Sequence, residues 1–156
     1  MERTGWFLLL TLSLFSQSVS ASINMCPNPS DIDEAHGLGL YSTPDGKWLG
    51  VSQDIENKGE VKQFLLASYH PYKNNDREIG ILARCTYSLD SGTVDMHLKD
   101  EDVIDNRGFF ISIMGRVFWH KITSPLYDND IYICYSTDVK HCSFERLSRY
   151  QIAQYE

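Results

Sequence analysis

Polar and apolar positions alternate most regularly over residues 78–98, EIGILARCTYSLDSGTVDMHL. Ile79, Ile81, Ala83, Cys85, Tyr87 and Leu89 alternate with Gly80, Leu82, Arg84, Thr86 and Ser88. Successive strand side chains point to opposite faces, so this period of two predicts a strand with one mainly apolar face. Asp90, Ser91 and Gly92 supply turn chemistry, because Gly tolerates positive φ and Asp bonds nearby amides. Val94, Met96 and Leu98 then alternate with Asp95, His97 and Lys99. The stretch reads as an antiparallel hairpin with one face on a core. Cys85 falls on the inward side, which suits a buried thiol or a disulfide.

The same patterning extends in both directions. Residues 38–42 and 47–52 flank Pro44-Asp45-Gly46 as a second hairpin, with Tyr41 and Trp48 as its large side chains. Residues 61–70 read as a strand with Leu65, Ala67 and Tyr69 on one face and Phe64 and Leu66 on the other. Residues 109–114 and 116–122 are strands separated by a bulge or bend at Gly115. Residues 130–136 and 142–146 complete the set, and 147–154 end in a helical turn or fray. Pro27 and Pro29 precede Ser30, and Ser30 followed by Asp33 resembles an N-cap with acids in the first turn. That predicts a short N-terminal helix ending near Gly37. The fold class expected is a mainly β, small antiparallel sheet or sandwich of hairpins with that short helix and two disulfides.

The start of the chain has a different composition. Met1-Glu2-Arg3 precede an apolar run over residues 6–15, and Val19-Ser20-Ala21 fits the small-residue pattern that signal peptidase reads. Residues 1–21 are therefore expected to be a signal peptide, with cleavage before Ser22 and a single exported β domain over 22–156. The run is too short to span a bilayer, and no later segment approaches that length, so no stable membrane anchor is expected. A lipidation box is ruled out by Asn24 and Met25 before Cys26. A chain of net charge −7 is a poor phosphate binder, which argues against nucleic acid and anionic membrane surfaces. Periplasmic or secreted location is the reading.

Four cysteines in an exported chain, Cys26, Cys85, Cys134 and Cys142, read as two disulfides. Three connectivities are open. Cys134–Cys142 with Cys26–Cys85 is preferred: the first cross-links a short loop, the second ties the N-terminal segment to the central hairpin.

With the cysteines placed, the layout resembles a family of short exported bacterial proteins catalogued only as a domain of unknown function. The residues that carry the likeness are Cys26-Pro27-Asn28-Pro29, Trp48-Leu49-Gly50, Cys85-Thr86-Tyr87, Asp95-Met96, Tyr132-Ile133-Cys134 and Cys142-Ser143-Phe144. The resemblance covers nearly all of residues 22–156 and implies a bacterial envelope or secreted protein. It carries over no catalytic residues.

Several chemistries can be weighed directly. No CxxC or HExxH is present and His141-Cys142 are adjacent, so zinc is disfavoured. The acid groups Asp31, Asp33, Glu34; Asp100, Glu101, Asp102, Asp105; and Asp128, Asp130 lack EF-hand spacing and read as solvated loops. No metal or other cofactor is expected. A serine nucleophile lacks its GxSxG setting, and paired cysteines cannot act as thiolates. Asp95 and His97 share the outward face of their strand, which leaves an acid–base pair as the enzyme alternative. Trp48, beside the Pro44 turn, and Tyr127, in the Pro125 loop, are candidates for stacking on a sugar or anchoring a partner.

These features favour a non-enzymatic binding module for a protein partner, basic given the acidic chain and inhibitor-like in action. Asp100, Glu101 and Asp102 are its candidate contacts. The alternative is a secreted hydrolase or carbohydrate-binding effector, and a third reading is a structural envelope protein with no discrete site.

Overall fold

The computed structural model describes residues 23–35, 39–52, 56, 58–73, 76–99, 109–123 and 130–155. The expected signal peptide and its cleavage point lie outside them. Among the described residues the chain forms β1 (Ile23–Asn24), β2 (Asp33–Glu34), β3 (Leu40–Ser42), β4 (Trp48–Val51), β5 (Lys58–Pro71), β6 (Gly80–Ser91) and β7 (Thr93–Leu98). These are followed by β8 (Phe109–Ser112), β9 (Trp119–Ile122), β10 (Ile131–Tyr135), β11 (Phe144–Arg146) and α1 (Arg149–Ile152). All strand pairings are antiparallel and join into one sheet. The fold is mainly β, as the alternation predicts.

β6 is the centre. One edge pairs with β5 along its length, while the other is shared by β8 at Gly80–Leu82 and β7 at Cys85–Ser88. The β6–β7 turn closes through Gly92 at φ 77°, with Leu89 N–H donating to the Gly92 carbonyl.

A single inward row of register partners crosses the sheet. Trp119 pairs with Cys134, Cys134 with Ala67, Ala67 with Cys85, Cys85 with Met96, Met96 with Gly50 and Gly50 with Tyr41. Every member is buried. Gly50 belongs there because a Cβ would meet Met96 Sδ at 2.6 Å and the Asp95 carbonyl at 2.8 Å.

The row is covered by segments tied to it covalently. Cys85 is bonded to Cys26 and Cys134 to Cys142, with Cα–Cα distances of 6.1 and 5.6 Å. Tyr87 Oη reinforces the first by donating to the Pro27 carbonyl at 2.7 Å. Val139, Cys142 and Phe144 pack in from the second.

Two expectations need correction. The short N-terminal helix is a single 3-10 turn at Pro29–Asp31. Its cap position is Asn28, which makes no side-chain capping bond, and Ile32 returns to extended backbone. Asp33 and Glu34 then pair with Ser42 and Tyr41 instead of continuing a helix. Burying Ile32 and pairing with β3 outweigh three weak helical positions.

The strict alternation also slips, and two of the four shifts in the β5–β6 register decide which side chains face inward. The β5–β6 register steps from Phe64–Tyr87 to Leu66–Thr86 and from Ser68–Arg84 to Tyr69–Leu82, leaving Leu65 and Ala83 unmatched. These irregularities turn Phe64 and Leu82 inward with Ala67 and Cys85, and leave Leu65 and Ile81 only half-buried. Phe64 does not oppose Ala67 as a period of two requires; its ring meets Tyr87 edge-on at 5.5 Å.

Candidate functional site

The outward face of β3, β4 and β7 is where the chain departs from the rule that apolar side chains go inside. Tyr41, Trp48 and Gly50 turn inward, so their neighbours Leu40, Leu49 and Val51 must turn outward. Leu40 is the register partner of Val51, and Leu49 stands diagonally across from Leu40, opposite Ser42. The three are 43%, 43% and 60% exposed. At strand spacing they form one contiguous apolar patch.

Polar groups border it. Leu49 pairs on its other side with exposed His97. β2 forms the sheet edge beside β3 and puts Asp33, the partner of Ser42, on this face, while Glu34 pairs with inward-turned Tyr41. Glu34 is held by the Gly39 N–H at 3.1 Å and, after burial, is the main influence keeping the Tyr41 hydroxyl protonated above its ordinary range. At the far end of β4, Lys99 N–H donates to the Lys47 carbonyl at 2.6 Å. The chain passes from there into Asp100, Glu101 and Asp102.

Asp95 and His97, set side by side by sequence reasoning, each have partners of their own. Asp95 accepts from Thr86 Oγ1 at 2.6 Å and pairs with Arg84 at 3.2 Å. His97 Nδ1 lies 2.8 Å from the Ala83 carbonyl, and since a carbonyl only accepts, Nδ1 carries the proton. Ala83 is the bulged residue where the free edge of β6 passes from β8 to β7, so the imidazole satisfies a backbone group at that junction. The carboxylate and the ring thus serve different partners.

The other candidates fall out unevenly. Trp48 is only 9% exposed and belongs to the core, where it opposes Leu98. This corrects its reading as a surface stacking residue: β4 turns it inward with Gly50. Asp100, Glu101, Asp102 and Tyr127 lie outside the described residues. Cys26, Cys85, Cys134 and Cys142 form the two preferred disulfides, and no cysteine is free. Among the described residues no three His, Cys, Asp or Glu side chains gather as metal ligands.

The sequence matches the family described as protein of unknown function (DUF3757) over residues 19–145. The chain belongs to the DUF3757 family. Its matched span takes in both disulfides and the whole inward row. No curated protein and no solved structure matches this DUF3757 chain. Its two disulfides, and the lack of any helix among the described residues long and apolar enough to cross a membrane, are compatible with an extracellular protein.

Leu40, Leu49 and Val51 were missed as site residues by sequence reasoning. The signal was present: Trp48-Leu49-Gly50-Val51 carries apolar side chains on both faces of a strand whose neighbour across the turn also alternates. An edge hairpin cannot bury both.

Proposed function

We propose that this protein is an exported, non-enzymatic binding module of the bacterial envelope or secretome that docks a protein partner on the outer face of β3 and β4. The observation that carries the reading is the Leu40–Val51 pair with Leu49 beside it, an apolar patch with Asp33 of the edge strand β2 at its rim. An apolar centre with a charged rim is how protein interfaces are built. Asp33 and the net charge of −7 favour a basic partner, and Asp100, Glu101 and Asp102, next in sequence after Lys99, are further candidate contacts. The action is then to occupy the partner's surface, as an inhibitor does.

The test is affinity capture on the immobilised oxidised protein from envelope and host extracts at low and moderate salt. A stoichiometric partner should be retained by the wild type and released by salt. Leu49→Arg with Val51→Arg should abolish its retention, and Asp100→Asn, Glu101→Gln, Asp102→Asn together should weaken it. A partner held equally by all three proteins would defeat the proposal.

A further inference from the structure

A second exposed surface lies on β9, β10 and the 3-10 turn Val139–Cys142, away from the hairpin just described. The β9–β10 ladder ends at Trp119–Cys134, with Phe118 in the turn just before it and Tyr135 just after it in the chain. Trp119 and Cys134 point into the core, so Phe118 and Tyr135 point out, 42% and 59% exposed. The Phe118 ring stacks on the imidazole of His141 with centroids 4.3 Å apart and planes 15° from parallel. Two stacked rings thus stand on an exposed surface beside the strand that carries Tyr135.

This platform is held rigid from beneath. His141 precedes Cys142, whose disulfide to Cys134 anchors the turn to the strand that carries Tyr135. Ser136 Oγ accepts from the Asp138 N–H at 3.0 Å and holds His141 Nδ1 at 3.1 Å, while Asp138 caps the turn through the Lys140 N–H. Little ordering entropy is left to lose on binding.

We infer that the Phe118–Tyr135–His141 platform is a binding site for the pyranose ring of a neutral glycan. The apolar C–H face of a pyranose is complementary to the electron-rich face of an aromatic ring. Sugar hydroxyls both donate and accept, so they suit His141 Nε2, left over by the Nδ1 contact, in either tautomer. They suit the Tyr135 hydroxyl equally. The turn that carries His141 holds one base, Lys140, and one acid, its cap Asp138, and so has no net charge to favour an ionic ligand. Size points the same way: two rings about half exposed offer on the order of 200 Å².

The experiment is an NMR titration of isotope-labelled oxidised protein with cellotetraose, mannotetraose and chitotetraose, each up to tens of millimolar. At least one should give saturable shifts centred on the amides of Phe118, Tyr135, Ser136 and His141. Phe118→Ala and Tyr135→Ala should each weaken that binding by about tenfold. The core amides of Ala67, Cys85 and Met96 should keep their positions, which shows that the variants fold. Absence of saturable shifts with all three glycans, shifts centred on β3 and β4 instead, or equal affinity in both variants would each overturn the assignment. Retention of a protein by this platform, with no glycan bound, would overturn it too.

Discussion

Cys85 and Cys134 face each other across one strand, each the register partner of Ala67. Strand spacing sets them roughly 10 Å apart, with the two disulfides rising on either side of a single methyl group. Ala67 is fully buried, so the smallness of that side chain is a packing requirement. Ala67→Val improves local strand preference yet adds two methyl groups between the sulfurs. Overpacking of this kind costs about 1–3 kcal/mol. The urea midpoint of the oxidised variant should fall accordingly, and an unchanged midpoint would show that the core yields there.

The two disulfides should differ in worth. Cys26–Cys85 spans 59 residues and Cys134–Cys142 spans 8. Chain entropy alone assigns them about 4 and about 2.5 kcal/mol. Replacing Cys26 and Cys85 together by Ser should therefore lower stability more than replacing Cys134 and Cys142. Denaturant titrations of the two double variants compare them directly; the reverse order would mean that packing around Cys142 dominates.

Two buried tyrosines invite opposite results. Tyr87 donates its hydroxyl to the Pro27 carbonyl, whereas the Tyr69 hydroxyl is buried with no hydrogen-bond partner among the described residues. Tyr87→Phe should cost about 1 kcal/mol, and Tyr69→Phe should be neutral or stabilising by a similar amount. Thermal melts of the pair decide it, and equal losses would refute the distinction.

The same two side chains set the alkaline limit. Burial raises both hydroxyls well above the ordinary tyrosine value of 10.0. Below that value both folded and unfolded chains are protonated, so the contribution is intact. Above it the unfolded chain ionises first, and stability is lost as pH rises further. Spectrophotometric titration should show these two tyrosines ionising only on unfolding. Smooth ionisation of every tyrosine in a still-folded protein would contradict this.

His97→Ala probes the β6 junction. Losing the bond to the Ala83 carbonyl should lower stability by about 1 kcal/mol while leaving Asp95 on Thr86 and Arg84. The change should show in the thermal midpoint; no loss would mean that water replaces the imidazole there.

Strand existence was legible because alternation and turn residues are local properties, and the long β6–β7 hairpin displays both. Of three open disulfide connectivities, the one preferred from placing each cysteine against those strands is the one observed. Facing was less legible: Leu65 and Ala83 are unremarkable residues, and only the paired chain reveals that they are passed over in the ladder. Ser30 and Asp33 carry helix-start chemistry, but pairing with β3 competes for the same backbone and wins. Trp48 drew attention as a large aromatic near a turn, though position on the pleat decides exposure, and β4 turns it inward. Phe118 escaped notice because its setting depends on Tyr135 and His141, brought to it by a strand register and a disulfide.

The inward row also constrains how the chain can assemble in time. Its members run in sequence from residue 41 to residue 134, and the strand that separates the two disulfides is made long before the last of them. Cys26 must wait for residue 85, and β10 can add only when β5 is already in place. Folding cannot proceed by finishing one part before the next is available. It is governed by distant contacts, which places this domain among slow folders and leaves its unpaired edges open until the final strands arrive.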